Sequence, residues 1–195
     1  MKKLILKYCL ALVNLYGIVS IERVVNTYNM QNMADVSASE LEGIVNANRE
    51  YLRENMVMVQ NDDLVAMEII MLGDYDREKG YKGDKPYYIP EREELLKYVN
   101  YTYFERTKPY INLVGFLYDL YKDRYKAEEL ANDIRIYCKS VEGRKNLSFL
   151  FEENDFMIKN KKDADELMEL IENLADNTRM WANNGFTPNE IEERN

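Results

Sequence analysis

Histidine is absent from the 195-residue sequence, and cysteine occurs only twice, at Cys9 and Cys138. Without histidine the chain cannot form a Ser-His-Asp or Cys-His nucleophile pair, and it lacks the side chain that most often serves as general acid or base. Each cysteine lies within an apolar helical pattern, where a free thiol packs as a small hydrophobic group. We therefore predict a non-enzymatic protein of a reducing compartment, with no catalytic residue, no metal and no cofactor.

Basic charge is scarce throughout the chain, which carries 26 Lys and Arg against 35 Asp and Glu and a formal net charge of −9. Basic and acidic residues number six and nine in residues 1–73, eight and eight in 74–110, and twelve and eighteen in 111–195. A nucleic-acid-binding surface usually has an excess of Lys and Arg where phosphates dock. The charge distribution therefore disfavours nucleic acid as a partner.

No apolar run approaches the length that spans a bilayer, about 20 residues. The opening MKKLILKYCLALVNLYG begins like a signal peptide, but Lys7 and Asn14 interrupt its apolar residues and no small-residue cleavage site follows. We interpret this stretch as a core helix of a cytoplasmic protein that has no membrane partner.

The first third of the chain has a helical period. Apolar residues recur at helical spacing over Lys2–Tyr16, and Gly17 is a typical helix end. Ser20 is the predicted N-cap of a second helix, which runs from Ile21 to about Gln31.

The third helix has the strongest start signal in the sequence, a capping box of Ser37 and Glu40. In such a box the hydroxyl and the carboxylate each accept a hydrogen bond from a backbone amide of the first turn. Ser39 and Glu42 provide an alternative frame for the same motif. The apolar period of this helix continues to about Glu54.

After the third helix the period changes from helical to alternating. The β-rich runs Met56–Val59 and Leu64–Ile70 flank the turn-type residues Gln60–Asp63, which predicts a β-hairpin. Three helices followed by a hairpin is the element order of a winged-helix module. We assign residues 1–73 to a winged-helix-like module on that basis.

Residues 74–90 are predicted to form a loop or hinge between modules, since charges of both signs alternate there without an apolar period. The end of this stretch, Tyr87-Tyr88-Ile89 between two prolines, is expected to dock on a module surface, whereas residues 74–85 are expected to be mobile. Tyr87 and Tyr88 are candidate partner contacts if they are exposed.

Residues 91–195 are predicted to form a helical module. Its last long helix is expected from about Asp163 to Asn184, with Trp181 as a structural anchor. The other expected elements are a helix over 91–100, one capped by Thr107, one that starts near Asp123, a short helix over 147–153, an extended stretch over 156–158, and a helix that Thr187 opens with a capping box.

Three segments carry a resemblance to a known group of proteins. DNTRMWANNGFTPNEI (Asp176–Ile191), KPYYIPEREELLKY (Lys85–Tyr98) and NLYGIVSIERVVNTYN (Asn14–Asn29) are similar to stretches of uncharacterised bacterial SEC-C motif-associated proteins. The resemblance implies an N-terminal winged-helix-like region and a helical region in a bacterial, intracellular protein. The cysteine-rich SEC-C tail that binds zinc in that group is not found in this sequence, so zinc binding is not expected.

Arg49 and Arg53 lie one turn apart on the third helix, where a winged-helix protein would contact DNA. The same helix carries four acidic residues, which would repel phosphates. Ion pairs with Glu50 or Glu54 are the expected role of the two arginines, and both are retained as candidate partner contacts.

Together these patterns predict a mainly α fold, α+β by its hairpin, in which a winged-helix-like module is followed by a helical module. The expected function is that of a non-catalytic interaction or regulatory protein that uses the winged-helix scaffold for contacts with a protein partner. Homodimerisation is compatible with this interpretation. The alternative is a nucleic-acid-binding transcriptional regulator, and a carboxylate-dependent enzyme ranks third.

Overall fold

The structure is a computed structural model that describes residues 2–153, 158 and 160–194. It is 67% helical with a small three-stranded antiparallel sheet, which confirms the predicted mainly α fold with a hairpin. Residues 156 and 157 of the predicted extended stretch lie outside the described residues. Within the described residues, no helix is both long enough and apolar enough to cross a membrane.

The chain divides into two compact units. The first comprises Met1–Phe104 together with the short, distant segment Trp181–Gly185, which we call the return segment. The second comprises Glu105–Met180 and Phe186–Asn195. This division differs from the predicted one over 1–73, 74–90 and 91–195, because a local sequence pattern does not show to which core a distant segment returns.

The first unit is built around its first helix and its sheet. Its elements are α1 (Lys2–Tyr16), β1 (Ile18–Ser20), α2 (Ile21–Asn32), α3 (Ala38–Ala47), α4 (Arg49–Glu54), β2 (Val57–Gln60), β3 (Asp63–Ala66), α5 (Met67–Met71), α6 (Tyr75–Lys82), α7 (Arg92–Lys97) and a 3₁₀ turn (Trp181–Asn183).

Helix α1 is the centre of this unit, because it is apolar on nearly every side and packs against α2, α3, α7 and β3. Ile5, Tyr8, Cys9, Leu12 and Tyr16 of this helix have no solvent exposure. The bounds predicted for this helix are confirmed, and so is the cap of α2, where the Ser20 hydroxyl accepts a hydrogen bond from an amide of the first turn.

The three strands are hydrogen-bonded in the order β1-β3-β2. Strands β2 and β3 form the predicted hairpin, in which Gln60 is paired with Asp63. The two residues of its turn, Asn61 and Asp62, both have left-handed backbone angles, φ +50° and +64°, as a two-residue turn of type I′ requires. Strand β1 was not predicted, since three residues are too few to show an alternating period.

Two element bounds of this region were predicted wrongly. The strand predicted over Leu64–Ile70 ends at Ala66, and Met67–Met71 is helix α5. A short apolar run fits either element, and tertiary hydrogen bonds decide between them. The predicted third helix is divided at Asn48, whose side-chain amide donates to the Ile44 carbonyl at 2.6 Å and so competes with the helical backbone bonds.

The predicted start of the third helix is confirmed in its first frame. The Ser37 hydroxyl accepts from the Glu40 amide, and the Glu40 carboxylate accepts from the Ser37 amide at 2.8 Å. This reciprocal pair satisfies two amides that an uncapped helix would leave without an acceptor.

The loop predicted over residues 74–90 is wrong for its first half, because Tyr75–Lys82 is helix α6. The buried face of α6 consists of Tyr75, Glu78 and Lys82, at the helical spacing i, i+3 and i+7. An apolar period is absent because the face that packs inward is polar. In the second half, Tyr87 and Tyr88 pack partly buried against the core of the first unit, as predicted.

The second unit is helical. Its elements are α8 (Lys108–Tyr121), α9 (Arg124–Cys138), α10 (Val141–Lys145), α11 (Leu147–Glu153), α12 (Lys161–Asp176) and α13 (Pro188–Glu192). Helices α8, α9 and α12 pack on one another through Leu113, Leu117, Ile134 and Ile171, which are buried.

Two of the three caps predicted for the second unit are confirmed. Thr107 occupies the predicted N-cap position of α8, but its side chain makes no capping hydrogen bond. The side chain of Asp123 caps α9, and a capping box of Thr187 and Glu190 opens α13. The helix predicted from Asp163 to Asn184 is wrong at its end, since α12 stops at Asp176. The residues that follow leave the second unit for the core of the first.

We predict that Gly17→Ala destabilises the protein strongly. Gly17 has φ +74°, and a Cβ there would lie 2.7 Å from two ring atoms of Trp181. Left-handed strain and overpacking together should lower the free energy of unfolding by about 2–4 kcal/mol, measured by urea denaturation. Gly80→Ala is the matched control, because Gly80 lies in α6 with open space around it and alanine should there be neutral or stabilising. Equal effects of the two substitutions would contradict the packing of Trp181 on Gly17.

Candidate functional site

Lys82, at the end of α6, is the most unusual polar residue of the first unit, since it is a lysine with only 5% exposure. Its Nζ donates to the Tyr16 carbonyl at 2.6 Å, to the Trp181 carbonyl at 2.8 Å and to Asn184 Oδ1 at 3.0 Å. An ammonium group has three N–H donors, and each has an acceptor here. Lys82 therefore joins the end of α1 and the return segment through one buried cation.

Burial lowers the pKa of Lys82 to about 7, because the surrounding protein solvates the charged form poorly. The negative charge of Glu78 opposes this shift, the positive charge of Lys85 adds to it, and the more distant Asp63 opposes it. Near neutral pH the side chain is therefore present partly as an ammonium with three N–H donors and partly as an amine with two. Loss of the proton removes one of the three hydrogen bonds.

Lys85 forms a second connection to the return segment. Its Nζ donates to the Tyr81 carbonyl at 2.6 Å and to the Ala182 carbonyl at 2.9 Å, and burial lowers its pKa. In return, the Asn184 amide donates to the Lys85 carbonyl at 2.8 Å. Lys82 and Lys85, which lie three residues apart in sequence, therefore bind consecutive carbonyls of the 3₁₀ turn.

Trp181 supplies the apolar part of this contact. It is 7% exposed, its ring lies against Gly17, and its Nε1 donates to the Asn14 carbonyl at 3.3 Å. The sequence predicted Trp181 as an anchor of the last long helix. The structure instead places it in the 3₁₀ turn, where it holds the return segment in the core of the first unit.

A second polar cluster connects the first half of α6 to strand β3 of the sheet. Asp63 Oδ2 accepts from the Tyr75 hydroxyl at 2.6 Å and from Lys79 Nζ at 2.7 Å. Desolvation raises the pKa of Tyr75, and the hydrogen bond to Asp63 raises the pKa of Lys79. Both shifts favour the protonated forms, so neither residue is activated as a base or a nucleophile near neutral pH.

Burial also keeps the two cysteine thiols in their protonated, unreactive form. Burial raises the pKa of the Cys9 thiol to about 12 and that of the Cys138 thiol to about 11, which suppresses the reactive thiolate. An open cleft of about 640 Å³ is lined by Glu91, Arg92, Glu93 and Leu96. Among the described residues, no three His, Cys, Asp or Glu side chains are grouped so as to hold a metal ion.

The two predicted arginine contacts lie on α4, and both are exposed. Arg49 donates through Nε and Nη2 to Asn46 Oδ1 at 3.1 and 2.8 Å. This bond to a residue three positions earlier takes the place of the ion pair expected for Arg49 with Glu50 or Glu54. Arg53 remains accessible on the surface.

The two predicted tyrosine contacts are half-buried in the first unit. The Tyr87 ring packs edge-on against Tyr16 with ring centroids 5.0 Å apart, and the Arg23 guanidinium lies 4.2 Å from its centroid. Tyr88 is held by its backbone, since its carbonyl accepts from the Tyr16 hydroxyl at 2.6 Å and its amide donates to the Asn184 carbonyl at 3.0 Å. These two residues therefore shape the site of the return segment.

Sequence reasoning missed Lys82, Lys85 and Asn184, which carry most of the polar contacts of this site. A weak signal was available in the helical spacing of Tyr75, Glu78 and Lys82, although all three are residues that usually face solvent or a boundary. Comparison of the chain with protein-family models, with curated proteins and with solved structures found no match. The function is therefore argued from the geometry.

The titration of Lys82 predicts a specific pH dependence of stability. Its pKa is about 7 in the folded protein against an ordinary value of 10.5, so the unfolded chain binds one more proton between these limits. The free energy of unfolding should therefore rise with pH from 7 towards 10. Urea denaturation of the protein and of Lys82→Met, measured in parallel at each pH, isolates this contribution because other titrating groups are common to both. A difference between the two proteins that stays constant over this range would contradict the assignment.

Proposed function

We propose that this protein is a non-catalytic interaction or regulatory protein whose first unit provides a winged-helix-like scaffold for protein contacts. The element order α1, β1, α2, α3, α4, β2, β3 and the sheet order β1-β3-β2 support this, since they resemble a winged-helix module with β2 and β3 as its wing. A fold of this kind supports many functions, so the argument for protein contact comes from the surface.

The full exposure of Met33 at a left-handed helix end is the main support for the proposal. Met33 caps α2 in the left-handed conformation, with φ +47°, and its side chain is fully exposed. Glycine or asparagine is favoured at such a cap, and a methionine there exposes apolar surface that contributes nothing to the isolated fold. A partner that covers the side chain would explain why this position has a large apolar residue.

Met33 is accompanied by other exposed apolar side chains of the first unit. Met30 precedes it on α2, Tyr51 lies on α4, and Met71 and Leu72 follow each other at the end of α5. Methionine adapts its shape to a partner through three rotatable bonds and a polarisable sulfur. Exposed apolar groups at several element ends of one unit favour contact with a protein over contact with a polyanion.

The charges at the position where a winged-helix protein would contact DNA argue against the alternative, a nucleic-acid-binding transcriptional regulator. A recognition helix needs a continuous face with basic or amide side chains towards the groove. Here the helix is divided at Asn48, and one of its two arginines is bonded to Asn46. The four acidic residues of α3 and α4 are Glu40, Glu42, Glu50 and Glu54.

The setting of the protein is part of the same proposal. Cys9 and Cys138 are free and buried, as is usual in the reducing cytoplasm. We also propose a relationship to the bacterial SEC-C motif-associated proteins, supported by the three segments that resemble them. The most specific of those segments, Asp176–Ile191, contains the return segment.

Two parallel measurements distinguish the proposed function from its alternative. Electrophoretic mobility shift with mixed DNA and RNA at low salt, where non-specific binding is strongest, should show no retardation. Crosslinking of the protein in cells that express it, followed by mass spectrometry, should place crosslinks to a protein partner near Met33. Retardation of nucleic acid that is lost in Arg49→Ala and Arg53→Ala would instead establish the alternative.

We predict that Met33→Asn stabilises the protein and weakens its binding to that partner. Asparagine tolerates the left-handed cap better than methionine, so the free energy of unfolding should rise by up to about 1 kcal/mol. Met30→Asn is the matched control, because Met30 is exposed within α2 and asparagine there should lower stability by about 0.5 kcal/mol. Calorimetric titration should show weaker binding for both variants despite their opposite stabilities. Unchanged affinity for Met33→Asn would overturn the proposed surface.

A further inference from the structure

We propose that the groove of the first unit that holds the return segment is a peptide-binding site. Its ligand is a Trp-Ala-Asn-Asn-Gly turn, and a second copy of this chain can supply that turn in place of the chain's own. The groove is formed by the end of α1, by α6 and by residues 85–88. It does not include the exposed methionines, so this proposal and the proposed function can fail separately.

The return segment is bound in the way that a peptide ligand is bound. Its backbone carbonyls at Trp181 and Ala182 accept from the two lysine side chains, and its carbonyl at Asn184 accepts from the Tyr88 amide at 3.0 Å. Main-chain bonds of this kind give a peptide affinity without regard to its sequence. The donors come from residues that precede the segment by about a hundred positions in the chain, as the sequence numbering shows.

Side-chain contacts give the groove its sequence preference. Trp181 needs the bare backbone of Gly17 beneath its ring, and Asn184 uses both its amide donor and its carbonyl acceptor. Gly185 has φ +86°, and a Cβ there would lie 2.9 Å from the Tyr16 ring. Tryptophan, the second asparagine and the glycine are therefore the determinants of recognition.

The path of the chain explains why a second copy can act as donor. Residues on both sides of the return segment belong to the second unit. The five residues of the segment therefore join the first unit although they are not continuous with the rest of it in sequence. The same five residues of another copy offer identical contacts, which is the condition for exchange of an element between protomers. At low concentration the chain's own segment is favoured, because its tether gives it an effective concentration of roughly millimolar.

The chain's single tryptophan makes this binding observable without a label. Full-length Trp181→Ala contains no tryptophan and has a weakened segment of its own, so a synthetic peptide of residues 178–188 brings the only indole into the sample. We expect a saturable blue shift of the peptide's emission, with half-saturation at or below roughly 1 mM. Full-length Trp181→Phe, which keeps a buried ring, serves as a second host if Trp181→Ala is destabilised.

Control peptides test the proposed determinants. The peptide with Asn184→Ala, and separately the peptide with Gly185→Val, should bind at least tenfold more weakly than the native sequence. Emission that stays at the wavelength of tryptophan in water with both hosts, while circular dichroism shows them folded, overturns the peptide site. Equal binding of all three peptides overturns the proposed recognition.

Donation by a second copy is tested with two complementary full-length variants. Gly17→Val blocks its own groove but keeps Trp181, whereas Trp181→Ala keeps Gly17, has a weakened segment of its own and contains no tryptophan. Mixing them at high concentration should produce a one-to-one heterodimer in sedimentation analysis together with a blue shift of Trp181 emission. Peptide binding without heterodimer formation would restrict the site to the chain's own segment and would overturn the second-copy part of the proposal.

Discussion

The buried amino group of Lys82 is the contact on which the first unit depends, because it connects parts of the chain that no local pattern brings together. One Nζ atom donates to the end of α1 at Tyr16 and to the return segment at Trp181 and Asn184. A charge at 5% exposure is costly, and three acceptors with the opposing charge of Glu78 offset only part of that cost, so the pKa of Lys82 falls to about 7. The position of α6 follows from this contact, since the helix has a polar rather than an apolar inner face.

Apolar packing stabilises one region of the first unit, and polar contacts stabilise another. Helix α1 and the sheet form a core of aliphatic and tyrosine side chains, which would hold their arrangement in any protein with the same pattern. The return segment is held mainly by directional hydrogen bonds and by a single aromatic ring. Bonds to its main-chain carbonyls supply affinity, and the Trp181 ring, the Asn184 side chain and Gly185 select the sequence, so the segment has the properties of a recognised ligand.

Local signals in the sequence predicted most of the first unit. The periods of α1 and α2, the capping box at Ser37 and the hairpin turn at Asn61 each involve residues close in the chain, and each is confirmed. The functional region could not be predicted in the same way. Lys82 resembles an ordinary surface lysine, and its acceptor at Trp181 is a backbone carbonyl 99 positions away, which leaves no trace in composition or spacing. A polar inner face is the feature that pattern analysis is least able to find.

The docking of the return segment is the central claim, and nuclear magnetic resonance tests it most directly. With Trp181 over Gly17, the aromatic ring current should move the Gly17 α-proton resonances far upfield, and nuclear Overhauser effects should connect them to the indole protons. The indole N–H should also exchange slowly, since it donates to the Asn14 carbonyl. Gly17 α-protons at ordinary shifts, without Overhauser effects to the indole, would contradict the claim that residues 181–185 complete the first unit.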